Sequence, residues 1–348
     1  MCEALGAEDC RNHFYLFTSI PPRLSGDKLA YQRDCIASWR SAGFKVASVN
    51  GSSEQQDVDA LDLGVEILPG TGAGKPAVID LLAAIRTKGC RYAGIINSDC
   101  AIIRFADLAC KLRTALDRTL LCAERVDVDT NSVLQPEACS GLDAFFFDTS
   151  IMPADFSPTF RIGEPWWDYW LPLTVASQGA RVASLDIPLL THKLHEPSWH
   201  REDWERIGLH FWSLLRASRA PNSLDTELEE SWANTTLTTA QLDALAVTCF
   251  QWLKTREPVE GMTLLPSDMA DVEWLLRSLK TALKMASAAT NLRMQDRTRM
   301  MGEIVKLKME RDELKWANAT LGAKVTAMEQ SRSWKLTKPL RRLRGFKS

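Results

Sequence analysis

The chain is 348 residues long, 45% hydrophobic and 25% charged, enough for one large domain with appendages or two modest domains, and too ordinary in composition for a disordered or fibrous protein. Its formal net charge of −2 hides a split, because residues 331 to 348 carry seven Lys and Arg and no acid, leaving residues 1 to 330 at −9. A mildly acidic body excludes broad nucleic-acid binding, while a local basic tail invites a local anionic partner.

Residues 1–10 read as an extension. From residue 11 onward, short β-rich runs alternate with helical patterns, which is the signature of a mostly parallel α/β sheet flanked by helices. Strands are expected at 13–20, 43–50, 65–70, 92–97, 119–126, 143–148 and 180–187, and helices at 27–41, 76–88, 105–117 and 165–178. Beyond about residue 200 the strand signal ends, and DWERIGLHFWSLLRAS, AQLDALAVTCFQWLKT and DMADVEWLLRSLKTALKMAS show apolar residues at three- and four-residue spacing, so this part is expected to be helical. From Met300 the spacing becomes strictly four-three, through Ile304, Leu307, Arg311, Leu314, Asn318, Leu321, Val325 and Met328. Two readings fit: a short coiled coil whose polar seam residues set register in a homo-oligomer, or a lone amphipathic helix folded onto the body. The nine cysteines are odd in number, scattered and without a CxxC pair, and are expected to be free thiols in a reducing compartment. No basic stretch leads into an apolar one at the N-terminus and no run approaches 18 uncharged apolar residues, so a cytoplasmic location is expected.

Several segments carry residues suited to chemistry. The apolar run YAGIINSDCAI ends its strand in Asn97-Ser98-Asp99, which puts a carboxylate at the carboxyl edge of a parallel sheet, where open α/β folds bind ligands. An unpaired charge there is expensive to desolvate, so either a cation neutralises Asp99 or the residue closes a turn or caps a helix. Gly70-Thr-Gly-Ala-Gly-Lys75-Pro76 is one residue short of a phosphate loop and has Pro76 where Ser or Thr would hold a metal. Lys75 would still stand at a helix N-terminus beside free N–H groups.

The octet Gly163-Glu164-Pro165-Trp166-Trp167-Asp168-Tyr169-Trp170 opens a helix at Pro165 and sets Glu164 and Asp168 on one face. Trp166, Trp167 and Trp170 form either an aromatic sugar platform around a carboxylate of raised basicity or a core stripe. Four of the five histidines lie between 192 and 210. A zinc-protease motif is excluded, because His195-Glu196 is followed by three residues before His200 and Pro197 breaks the helix such ligands need. The run Glu124 to Asp129 either lines a site or is a solvated charge run.

A strand leading into x-Ser-Asp, the opening Thr18-Ser19-Ile20-Pro21-Pro22-Arg23 after the first strand, and the ending SRSWKLTKPLRRLRGFKS together resemble GT-A-fold nucleotide-sugar glycosyltransferases of bacterial cell-surface polysaccharide synthesis. The resemblance implies a GT-A-like domain over 11–205 and a coiled-coil helix over 291–330 leading into a basic amphipathic tail over 331–348 that lies on an anionic membrane surface at the inner face; the helical region over 206–290 rests on the periodicity alone. It implies transfer of a sugar, with inversion, from a nucleotide-sugar donor to a glycan or lipid-linked acceptor. Asp99, with His192 or its rival His195, would hold Mn²⁺ or Mg²⁺ against the donor's diphosphate. Thr18, Ser19, Arg23, Lys75 and Asn97 would contact the donor, and Asp168, with Glu164 as second choice, would take the acceptor's proton. Asn97 departs from the family pattern, which has a first Asp there, and adds no charge. The competing reading is a non-catalytic scaffold that binds glycan or nucleotide on a degenerate transferase fold.

Overall fold

Four parallel strands, β1 (Tyr15–Thr18), β2 (Lys45–Asn50), β3 (Glu66–Pro69) and β4 (Tyr92–Ile96), lie in the spatial order β3-β2-β1-β4. Their carboxyl ends therefore share one edge. The structure is a computed structural model and describes residues 13–257, apart from 104, 106, 129–140, 186–187, 196–198, 219–223, 225–227 and 229–233, together with 321, 322, 324 and 326. The chain divides into two compact units, Met1–Leu279 and Lys280–Ser348. Residues 321, 322, 324 and 326 are helical; the rest of the expected coiled coil and the whole basic tail lie outside the described residues.

Strand residues alternate between two apolar clusters, as a two-residue period requires. Tyr15, Phe17, Ala47, Val49, Phe145 and Phe147 face one cluster with Val78, Leu81 and Ile85 of α3 (Val78–Lys88), whereas Phe14, Leu16, Val46 and Phe146 face the other with Cys35, Ile36 and Trp39 of α1 (Gly26–Ser41). Burial on both faces explains why these strands read as near-continuous apolar runs. Short helices α2 (Gln55–Asp59) and α4 (Leu108–Ala115) complete this half.

The other half makes the sheet mixed. β7 (Leu142–Asp148) runs antiparallel between β4 and β6 (Thr119–Val128). β6 is long enough to serve two partners: its first half pairs with β8 (Arg181–Ala183), and its second half, beyond a register shift at Ala123/Glu124, pairs with β9 (Leu190–Lys193). Such an irregularity bends a strand and re-aims the side chains beyond it. β9 in turn pairs antiparallel with β5 (Cys100–Ile102), and the register sets Cys100 opposite His192 and His192 opposite Asp127. All seven expected strands are present. β5 and β9 were not expected, being three and four residues long, too short for alternation to register.

The same core continues past residue 205. Helix α5 (Trp167–Ser177), α6 (Arg201–Ser218) and α7 (Thr239–Lys254) bury Trp166, Phe211, Trp212, Leu215, Leu245 and Trp252 in the cluster that also holds Phe145 and Phe147. Cys35, Cys100 and Cys122 are free thiols, all buried. Among the described residues no helix is long and apolar enough to cross a membrane.

Gly94 sits in β4 between β1 and β7, where an added Cβ would meet Leu16 Cδ1 at 2.7 Å, Phe146 Cδ1 at 2.9 Å and the Phe145 carbonyl at 3.2 Å. Packed interiors give little there, so Gly94→Ala is expected to destabilise the fold by about 1–3 kcal/mol. A urea titration would read this as a lower midpoint at unchanged slope.

Candidate active site at the carboxyl edge of the sheet

Between β4 and β5 the backbone leaves its ladder, and its polar groups must find other partners. One face of α1 supplies them: Gln32 Nε2 donates to the Ser98 carbonyl at 2.8 Å, Tyr31 OH to the Asp99 carbonyl at 3.0 Å, and Trp39 Nε1 to the Cys100 carbonyl at 2.8 Å. Ser38 Oγ accepts from Ile102 N at 3.0 Å. The Tyr31 hydroxyl also accepts from Lys193 N at 3.1 Å, so a single side chain ties the start of β5 to the end of β9.

That tie brings two histidines to Asp99. His195 Nε2 lies 3.0 Å from Asp99 Oδ2, His192 Nε2 lies 3.6 Å from the same oxygen, and the two Nε2 atoms are 3.1 Å apart. The three groups offer ligand atoms all within 4.8 Å of one another. His192 Nδ1 lies 2.8 Å from Asp127 Oδ1, a carboxylate only 4% exposed. A proton held on Nδ1 by that carboxylate leaves the Nε2 lone pair pointing at the cluster, the arrangement usual behind metal-bound imidazoles. The donor set fits a divalent cation, and two imidazoles with one carboxylate favour Mn²⁺ over Mg²⁺.

The electrostatics agree. Burial pushes the Asp99 carboxyl up, but hydrogen bonds and charge from His192 and His195 outweigh it and hold the group well below the usual carboxylate range. Burial likewise pushes His192 down, yet hydrogen bonds to Asp127 and Asp99 raise it to about 9. The cluster thus demands positive charge, and a proton meets that demand when no metal does.

Asn97 does not face this cluster with its amide nitrogen. Its Nδ2 donates to Asp143 Oδ1, its backbone N–H to the Asp143 carbonyl at 2.9 Å, and its Oδ1 is buried without a hydrogen-bond partner among the described residues. Asp143 Oδ2 also accepts from Arg125 Nη1 at 2.6 Å, and Arg125 Nε lies 3.1 Å from Asp127 Oδ1, close enough for an ion pair though not aligned as a hydrogen bond.

The facing wall comes from the 160–168 segment. Val78 N donates to the Phe160 carbonyl at 2.8 Å and the Arg161 guanidinium donates to the Lys75 carbonyl, which joins this segment to the Gly-rich loop. Gly163, at φ +71°, passes so close to Lys75 that a Cβ would lie 3.3 Å from Nζ. Burial pulls Lys75 below its ordinary value, while the charges of Glu164, Asp99 and Glu54 act the other way; Lys75 therefore shares a field with Asp99 and Glu164. Asp168 occupies the first turn of α5. Burial raises its carboxyl to about 7, the Asp143 charge adds to this, and its own and the Tyr169 backbone N–H groups with Arg125 oppose it.

Other expected residues land elsewhere. Trp166, Trp167 and Trp170 are 0%, 1% and 7% exposed, which corrects the expectation of a sugar platform. Trp166 lies 4.6 Å from the Trp204 ring and 4.9 Å from Phe211, Trp167 5.3 Å from Phe145, and Trp170 stacks on Phe160 at 5.6 Å. The rings seat α5 on α6 and β7 and have no face left for a ligand. Arg23, its side chain 90% exposed and 3.9 Å from Asp57, stands in solvent rather than at the edge. Thr18 is fully buried with its hydroxyl unpartnered among the described residues, whereas Ser19 is half-buried at the mouth of β1. α3 begins at Val78 rather than Pro76, and Asp80 accepts from Ala77 N at 2.9 Å and Thr71 Oγ1 at 2.6 Å. A carboxylate thus occupies the helix N-terminus expected to offer free N–H groups.

No protein-family model matches the chain, and no curated protein matches it. Among solved structures it is similar to residues 1–349 of S. aureus TarS in complex with UDP-GlcNAc, at 12% identity and a TM-score of 0.41, over 78% of this chain and 81% of that one. It is similar also to a nucleotidyl transferase from Methanothermobacter thermautotroptrophicus, at 14% identity and a TM-score of 0.35, over 58% of this chain and 98% of that one. An inositol-1-phosphate CTP transferase from T. maritima is matched at 12% identity and a TM-score of 0.35, over 53% of this chain and 90% of that one. At these values no statement about activity follows from the likeness.

Two consequences can be measured. Asp168 prefers its proton in the folded state, so its ionisation works against folding as pH rises from the unfolded value near 3.8 to about 7. Asp168→Asn is therefore expected to match the wild type near pH 4 and to exceed it by on the order of 2 kcal/mol above pH 7, seen in urea titrations across that range. Because His192 holds a proton up to about pH 9, Mn²⁺ must displace it. Calorimetry should find affinity rising with pH between 6 and 9, by at most about tenfold per unit, with proton release.

Proposed function

We propose that the chain is a nucleotide-sugar-dependent glycosyltransferase that passes a sugar to a glycan or lipid-linked acceptor. What supports this reading is a cation-ready cluster, Asp99 with His192 and His195, together with a half-buried carboxyl of raised basicity, Asp168, that feels the charges of Asp143 and Arg125.

Asp99 Oδ2 and the Nε2 atoms of His192 and His195 would hold a divalent cation, Mn²⁺ before Mg²⁺. When bound, that ion supplies charge that steadies the departing diphosphate. Lys75, half-buried and within the field of Asp99 and Glu164, adds a second positive charge on the donor side. On the facing wall the Asp168 carboxylate takes the proton of the acceptor hydroxyl as its oxygen bonds to the anomeric carbon. The bond from the anomeric carbon to the diphosphate breaks, its electron pair leaving on the diphosphate oxygen. A base and a leaving group on opposite sides give inversion. A carboxyl half-ionised near neutrality is matched to this task. Glu164 lies on the wall with Lys75 and is the reserve candidate.

The sequence of residues 331–348, with Trp334, Leu336, Leu340, Leu343 and Phe346 among seven cations, suits an anionic membrane surface at the inner face, where a lipid-linked acceptor would be presented. The heptad spacing of 300–328 supports pairing of copies.

A panel of nucleotide sugars, assayed with Mn²⁺ and candidate acceptors, tests the reading. Asp168→Asn is expected to lower turnover by about 10²–10⁴-fold with Mn²⁺ affinity kept, whereas Asp99→Ala should lose both. The wild-type kcat/KM should fall below about pH 7 as Asp168 takes up its proton. Full turnover in Asp168→Asn would remove its role as base, and nucleotide binding without turnover on any donor would favour the non-catalytic scaffold.

A further inference from the structure

The polar side chains behind the cluster close a circuit. Asn97 Nδ2 donates to Asp143 Oδ1; Arg125 Nη1 donates to Asp143 Oδ2 at 2.6 Å, and Arg125 Nε stands 3.1 Å from Asp127 Oδ1. Asp127 in turn holds His192 Nδ1 at 2.8 Å, and His192 Nε2 faces Asp99 Oδ2 at 3.6 Å, two residues along the chain from Asn97. The members lie on adjacent strands, Asp143 on β7, Arg125 and Asp127 on β6 and His192 on β9. Asp143 is 5% exposed and Asp127 4%. Burying two carboxylates this deeply is tolerated only where each is paired and hydrogen-bonded. Arg125 hydrogen-bonds Asp143 and forms an ion pair with Asp127, whose hydrogen-bond contact is His192 Nδ1; a guanidinium can face two carboxylates at once, which an ammonium on a flexible stem does not.

We propose that Asp143, Arg125 and Asp127 form a positioning rail that sets the spacing of Asp99 and His192, and that position 97 carries an amide because the carboxylate of that pair stands on Asp143 instead. The proposal rests on the cation-binding part of the functional reading. It turns on geometry. An amide at 97 donates to Asp143, and a carboxylate at 97 would press against it. The group that offers ligand atoms is Asp99, His192 and His195, without the three rail residues, so each of these acts through another side chain.

The test uses the full chain and Mn²⁺ alone, titrated by electron paramagnetic resonance at about pH 8. Asn97→Asp adds negative charge beside a cation site, which by attraction alone would tighten binding; the rail requires the opposite, a loss of about 10–100-fold. Arg125→Lys, which keeps the charge and loses the fork, is expected to weaken binding over the same range. The double variant Asn97→Asp with Asp143→Asn exchanges acid and amide and should recover most of the affinity. Equal or tighter Mn²⁺ binding by Asn97→Asp, or no recovery in the exchanged pair while circular dichroism shows an intact fold, overturns the rail. Should the wild type take up no Mn²⁺, the cation reading falls, and the rail is then read from the downfield proton resonance of His192 Nδ1–H. Displacement or loss of that resonance in Arg125→Lys, with return in the exchanged pair, upholds the rail; a resonance unmoved in Arg125→Lys removes it.

Discussion

The interaction on which this site depends is the approach of Asp99 to His192 across the β5–β9 pair. Neither strand has length of its own, three and four residues, and a ladder so short would not hold alone. It is held because β6 bends at Ala123/Glu124 and offers its second half to β9, and because Tyr31, Gln32, Ser38 and Trp39 hold the lead-in and the body of β5 from the helix side. A strand irregularity and one helix face thus decide where two titratable groups meet. The Asp99 carboxylate is not spent on a helix cap; it lies at the end of an apolar strand because two imidazoles face it there.

The second wall follows from packing rather than polarity. Trp166 adopts a left-handed backbone conformation, φ 74°, which a bulky residue accepts only where its surroundings fix it. Its indole donates to the Trp204 carbonyl at 2.9 Å and lies so close to α6 that a Cβ on Gly208 would come within 2.8 Å of the ring. That clamp determines where the first turn of α5 begins, and so where Asp168 stands. The tryptophans thus act on the carboxylate by seating the helix that carries it, and burial of that carboxyl raises its basicity.

These two walls were unequally legible in the sequence. Strands buried on both faces announce themselves by apolar runs, so β1, β2, β4, β6 and β7 could be read directly, and with them the edge position of Asp99. Asp99, His192, His195, Lys75, Glu164 and Asp168 could be chosen from local pattern, and the first three lie together. Asp127 stands out only as part of the open run Glu124 to Asp129, and Asp143 is not singled out. Asp127 hides in the alternation Val126-Asp127-Val128, which reads as a half-solvated strand, and becomes buried only because β9 covers it. Asp143 opens the run DAFFFD much as Asp99 ends its own strand, a carboxylate against an apolar stretch, and the same question of what neutralises it would have found it. The Trp octet misled for a physical reason: an aromatic stripe beside an acid looks alike whether the rings face a ligand or seat the helix, and only the position of α6 decides.

Charge balance joins these observations. In the circuit from Asn97 round to Asp99, three carboxylates, Asp99, Asp127 and Asp143, stand against a single guanidinium, Arg125. With His192 neutral the circuit carries two negative charges in excess, which is the charge of one divalent cation. A proton on His192 leaves one in excess, so the protonated state is a partial substitute and yields to the ion as pH rises. A carboxylate at 97 would add a third, set against Asp143 where no cation on the far side of Asp99 could screen it, and buried like charges at hydrogen-bond distance do not both ionise. With a neutral amide at 97 the excess equals the charge of one divalent cation, and the acid that a carboxylate at 97 would supply stands one strand away on Asp143.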